Sequence, residues 1–195
     1  MAYPTVSAPY GFQPINRVDG MPYAGATRQI NIAGTYNTAI YAGDLVVVVT
    51  GGTLEKFTGT TTGSPVGVFM GVQYVNAQGQ TIQAQYYPGT SVSNAVAYVV
   101  DDPLAAFKVA VTNSSSAMSS AARAAIGANM SVVQGSGSTI SGDSGQSVLA
   151  GSEATTAALP IRVIDVVPAT ATGTDTFVEL VVKINLHQYN NTTGV

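Results

Sequence analysis

Charge is what this sequence has least of. Asp, Glu, Lys and Arg make up 9% of its 195 residues, against roughly 25% in an ordinary globular protein. A free monomer normally keeps itself soluble with charge. Here that task falls to Ser, Thr, Asn, Gln and Gly, or else neighbouring subunits cover part of the surface, since interface centres are depleted in charge. Only 7 residues are Lys or Arg and the net charge is −3, which argues against nucleic acid as a partner. Cysteine is absent, so disulfides and thiolate metal sites are excluded. Tryptophan is absent and histidine occurs once, at His187. No apolar run is long enough to span a membrane, and no membrane partner is expected. The start, MAYPTVSAPYGFQP, lacks the basic region and apolar core of a signal peptide, so synthesis in the cytoplasm is expected.

What is present is β-forming sequence. The chain is 46% apolar, enough for a sizeable core. Its organising stretch is GDLVVVVTGGTLEKFTGTTTGSPVGVFMGVQYV, from Gly43 to Val75. Consecutive valines lose side-chain freedom in a helix and suit a strand buried on both faces. Gly51-Gly52 reverses the chain into a short strand around Leu54 to Phe57, and Pro65 opens a second apolar run, Val66 to Val75. Further strands are expected at Thr27 to Ile32, Thr81 to Tyr87, Ala95 to Val100, Leu104 to Val111, Met130 to Val133, Ser147 to Ala150, Ile161 to Val167 and Thr176 to Leu186. Strands at this spacing predict an all-β fold, an antiparallel sandwich or small barrel. The one helix candidate is Ser114 to Ile126, with a serine cluster to cap it and Gly127 to end it.

The β domain spans 26–186; two regions flank it, and one irregular segment lies within it. Residues 1–25 carry Pro4, Pro9, Pro14 and Pro22, interleaved with Tyr3, Tyr10, Phe12 and Tyr23. Proline blocks helix interiors and central strands, so an extended arm is expected, its aromatics packed either on its own domain or on a neighbour. The Ser/Gly-rich segment 135–146 reads as a mobile loop. Residues 187–195 read as a polar tail, with His187 at a surface or an interface.

Motifs for chemistry are weak. Gly142-Asp143-Ser144-Gly145 copies the GDSG string around the nucleophile of trypsin-like serine proteases. A serine needs an adjacent base, and His187 follows it in the tail rather than preceding it. GSGSTISG, Gly135 to Gly142, lacks the Lys-Ser/Thr ending of a phosphate loop. Asp101-Asp102 supplies too few oxygens for calcium and reads as a turn before Pro103. Glu179 and Lys183 are expected to pair across strands or stay solvated. No catalytic residue, metal site or cofactor is assigned, and an enzyme is not expected.

Taken together, GDLVVVVTGGTLEKF and SPVGVFMGV resemble the central hairpin of head decoration, or cement, proteins of tailed bacteriophages. APYGFQPIN, YAGATRQINIA, DDPLAAFKVAV, LPIRVIDVVP and FVELVVKINLHQY are similar to segments of virion structural proteins from marine and cyanobacterial phages. The resemblance implies an all-β domain, often trimeric, on the capsid exterior where capsomers meet. Its partner would be the major capsid protein, and its terminal arms would bind the shell. The arm residues Tyr3, Pro9, Tyr10, Phe12, Pro14 and Tyr23 are then the expected shell contacts. A homo-oligomer is further suggested by Leu104, Ala106 and Ala110 on one strand and Phe177 and Val181 on another, which are left for a second subunit once the opposite faces fill the core; the number three is what the resemblance implies. Alternatives are a tail or head-fibre component, and a carbohydrate-binding module with Tyr86 and Tyr87 as a stacking platform.

Overall fold

The computed structural model describes residues 6–113, 118, 122–173, 175–191 and 194. It is all-β, built from two sheets. The first has seven strands: β1 (Gln13–Arg17), β8 (Ala105–Thr112), β9 (Asn129–Met130), β10 (Val132–Val133), β11 (Ser147–Leu149), β12 (Ile161–Val166) and β13 (Glu179–Ile184). Their order is β10-β11-β8-β13-β12-β9, with β1 also on β8. The second has six: β2 (Arg28–Asn31), β3 (Leu45–Val49), β4 (Thr53–Lys56), β5 (Gly67–Asn76), β6 (Thr81–Ala84) and β7 (Val92–Val100). Its order is β2-β7-β5-β3-β4, with β6 on β5. A bridge from Ile32, just after β2, to Leu54 in β4 brings the outer strands together, so this sheet is nearly closed into a barrel. Among the strand pairs described, β11 and β8 depart from the antiparallel pattern and run parallel.

The valine run forms β3 as expected. Gly51 and Gly52 turn it back into β4, both at positive φ (103° and 74°), where any side chain would be strained. Two bulges, at Phe69/Gly71 and Gln73/Val75, interrupt the pairing of β5 with β7. Bulges bend a strand and increase its twist, which lets one long strand serve β3, β6 and β7 in a curled sheet. Side chains alternate between two cores. Leu45, Val68 and Val100 join Phe12, Phe107, Val109, Leu180 and Val182 in the core shared with the first sheet. Val46, Phe69 and Val99 fill the barrel with Ile30, Leu54 and Tyr87. The two-sided burial expected for the valine run therefore holds at Leu45 and Val46, while Val47 to Val49 are half-buried.

Four expectations are corrected. Residues 1–25 do not form a separate arm throughout: Gln13–Arg17 is strand β1 on β8, and Phe12 lies in the core. Pro14 fits because β1 is an edge strand, where a missing N–H leaves no ladder bond unmade. The segment 135–146 is not a loose loop. Gly135 and Gly145 lie so close that a Cβ on Gly135 would sit 1.8 Å from the Gly145 carbonyl oxygen. Glycine gives flexibility in isolation but also permits such backbone contact. His187 is not at a surface: it is buried, and Gln188–Asn190 after it forms a 3₁₀ turn tied to β3 through Gln188, while Tyr189 to Asn191 stay exposed. Ala106 and Ala110 are not left for a second subunit, since both are buried within this chain. Most of the helix candidate lies outside the described residues. Its described end is a 3₁₀ turn, Ala122–Ala125, with Ala122 and Ala125 buried, matching the three-residue repeat of that helix.

Candidate assembly surface

The proline-rich start is sorted by side-chain type. Its described aromatics point inward. The Tyr10 hydroxyl donates to Glu179 Oε1, and Lys108 Nζ lies 3.1 Å from the same carboxylate and 5.4 Å from the Tyr10 ring centre. Burial, then the bond to Glu179 and its charge, push the Tyr10 hydroxyl well above its ordinary value, so it remains a donor. Glu179 thus pairs across strands with Lys108, as expected. Phe12 is 1% exposed. Tyr23 is half-buried against the same core, and its hydroxyl donates to the Ala26 carbonyl at 3.3 Å. Pro9 is half-buried, and Pro14 pairs opposite Phe107 in β1. Tyr3 lies outside the described residues.

The aliphatic residues point outward. Ile15 is 45% exposed, Val18 42% and Met21 58%. They follow one another along β1 and the turn after it. Leu104, also exposed, adjoins them, because Val18 N–H donates to the Leu104 carbonyl at 2.9 Å. Ile15 sits in the register shift between Pro14 and Asn16, so the bulge re-aims its side chain. Arg17 flanks the run, with Nη2 2.9 Å from Asp19 and Nη1 3.3 Å from Asp102. An apolar strip beside paired charges has the composition of an interface centre with its rim.

The sequence pointed to the aromatics of this segment and missed Ile15, Val18 and Met21, whereas Leu104, expected to be left uncovered, is exposed. An aromatic ring gains most from its own domain's core. The shorter aliphatic side chains remain on the solvent side of the edge strand. The signal that marks them is their placement between prolines and turn residues, where no period-2 core pattern claims them.

The other motifs are structural. Ser144 of the GDSG string is buried; its Oγ donates to Asp44 Oδ1 at 2.6 Å and accepts from Gln146 N at 2.9 Å. His187 instead accepts a hydrogen bond from Tyr189 N, so the serine has no imidazole base. Asp101 and Asp102 pair with Arg28 and Arg17. Tyr86 and Tyr87 do not form one platform: Tyr87 is buried against Tyr36, while Tyr86 stacks on Tyr41. Among the described residues no three His, Asp or Glu side chains are grouped to hold a metal ion.

A second exposed apolar feature is Ile140, 98% exposed at the tip of the Ser/Gly loop. Ser138 holds that tip: its Oγ accepts from the N–H groups of Ile140 and Ser141, and its carbonyl accepts from Gly142 N. Gln85 secures the base by donating to Asp143. No family model, curated protein or solved structure matches this chain.

Proposed function

We propose that this chain is a capsid decoration, or cement, protein of a tailed bacteriophage, and that it binds the major capsid protein on the outside of the shell through the β1 edge. The observation that carries the proposal is the exposed aliphatic run Ile15, Val18 and Met21 beside Leu104, carried by an edge strand that pairs with β8 and follows directly on the buried Phe12. Such a surface is pre-organised, so binding orders little that was free before. The charge-poor composition and the resemblance of the Gly43–Val72 hairpin to cement proteins support the same assignment. Binding only the closed lattice would shift the shell towards it by mass action. A homotrimer at a local threefold position would close on itself and multiply weak contacts.

The test is decoration of shells assembled without this protein. Replacing Ile15, Val18 and Met21 together by Ser leaves the core untouched. It removes about 1 kcal/mol of apolar burial per side chain, so affinity should fall by about a hundredfold or more. Unchanged decoration by the folded variant would remove the β1 edge from the interface. Binding of the wild-type chain to tails and not to shells would replace the cement assignment with a tail or fibre role.

A further inference from the structure

The end of the described chain closes an open strand edge with one side chain. On the side of β3 that faces β5, the two strands pair only at Leu45–Val68 and Val46–Gly67. Beyond that point Val48 is served by Gln188: Val48 N–H donates to Gln188 Oε1 at 3.0 Å, and Gln188 Nε2 donates to the Val48 carbonyl at 2.7 Å. The glutamine amide stands in for one residue of a missing strand. Gln188 N–H also donates to the Pro65 carbonyl at 3.1 Å, and Asn191 donates to Ser64 Oγ. Between this strap and β3 lies a groove of about 420 Å³ lined by Val47, Val48, Val49 and Gln188, among others.

His187 pins the strap. Its side chain is buried, and Nδ1 accepts from Tyr189 N–H at 3.2 Å, capping the turn Gln188–Asn190. An imidazole that accepts at Nδ1 carries its proton on Nε2. Nε2 is buried without a well-formed hydrogen bond. The Tyr189 ring lies against the imidazole, 5.3 Å between centroids. The charged groups facing the site are Asp101 and Asp102, from the turn after β7. Asp101 is paired with Arg28 of β2 at 2.7 Å, and Arg28 also lies 5.2 Å from the Tyr189 ring centre. Asp102 is paired with Arg17 of β1. The neighbouring acids are thus already matched by arginines.

We propose that His187 makes the strap pH-sensitive: in acid a solvent proton adds to Nδ1, Tyr189 N–H loses its acceptor, and Gln188–Asn191 lifts from β3, baring the edge at Val48. Burial holds the imidazole below its ordinary value of 6.5, outweighing Asp101, the Val66 carbonyl and Asp102, which act the other way. The open strap exposes the ring and restores the ordinary value. The closed form is therefore fully favoured above 6.5 and loses ground as pH falls below it. Each unit of pH in that interval should raise the opening equilibrium by up to about tenfold.

The experiment is amide hydrogen exchange of the full chain by NMR from pH 8 to 5, corrected for the intrinsic pH dependence of exchange. Protection at Val48 and Tyr189 should fall as pH drops below 6.5, by up to about tenfold per unit, while Val109 and Leu180, in the paired strands β8 and β13, stay protected. His187→Asn keeps an oxygen that can cap the turn but cannot titrate in this range, so its protection at Val48 should be flat with pH. Gln188→Ala should leave Val48 unprotected at every pH. Should His187→Asn not fold, the wild-type His187 ring resonances give the same answer, since they must titrate together with the loss of Val48 protection. Val48 protection that ignores pH, pH dependence that survives in His187→Asn, or simultaneous loss at Val109 and Leu180 would each overturn the proposal.

Discussion

Phe12→Ala should lower the unfolding free energy by about 3–5 kcal/mol, the usual cost of emptying a buried phenylalanine site. The ring is 1% exposed and packs in the core with Phe107, Val109 and Leu180. The backbone around it is also committed. Gly11 N–H donates to the Gln146 carbonyl, and Phe12 N–H to the Gly43 carbonyl. Gly11 has φ 81°, and a Cβ there would lie 2.6 Å from Ser144 Cβ, so the segment is threaded through a passage only glycine fits. The site therefore has little freedom to collapse around the lost ring. Urea unfolding followed by tyrosine fluorescence measures the effect. Met21→Ala is the matched control, because an exposed side chain of the same segment should change stability by no more than about 0.5 kcal/mol. A cost below 1 kcal/mol for Phe12→Ala would mean that the proline-rich start is an appendage after all.

Asp44→Ala should cost about as much, about 3–5 kcal/mol, because it breaks a buried ion pair and strands the partner. The carboxylate is fully buried. It accepts from Tyr41 N at 2.8 Å and Ser144 Oγ at 2.6 Å, and lies 3.0 Å from Lys56 Nζ. Lys56 is itself only 13% exposed, so removal of the acid leaves a cation poorly hydrated. The same carboxylate ties the turn before β3 to the Ser/Gly segment through Ser144. Ser144→Ala removes the bond to Asp44 and the acceptor of Gln146 N–H, and should cost about 1–3 kcal/mol. Denaturation midpoints of the two variants at constant m-value decide it. If Asp44→Ala proves no worse than Ser144→Ala, the ion pair with Lys56 contributes nothing and the network has been misassigned.

These two residues also mark how far the sequence could be read. The strands with continuous or alternating apolar patterns, β3, β5, β7, β12 and β13, were legible because burial on one or both faces leaves a direct trace in residue type. Asp44 was visible as a turn residue beside Gly43. Its union with Ser144 and Lys56 was not, because a hydrogen bond across 100 residues leaves no local signal. Phe12 was misplaced for a related reason. The prolines around it argue against a central strand, and that remains true, but an edge strand tolerates Pro14. Ala106 and Ala110 looked like a face awaiting a partner because sequence periodicity does not say how many layers the chain itself provides. The exposed run at Ile15, Val18 and Met21 was hidden behind the aromatics, which are the stronger hydrophobic signal and for that reason the ones the domain keeps.

We propose the β1 edge as the shell-binding surface of a capsid cement protein. A cryo-electron microscopy map of shells decorated with this chain tests it most directly. The expected result is density on the capsid exterior, three copies around a local threefold position, with Ile15, Val18, Met21 and Leu104 turned towards the major capsid protein. Density on the shell with β1 facing solvent, or density confined to the tail, would contradict it.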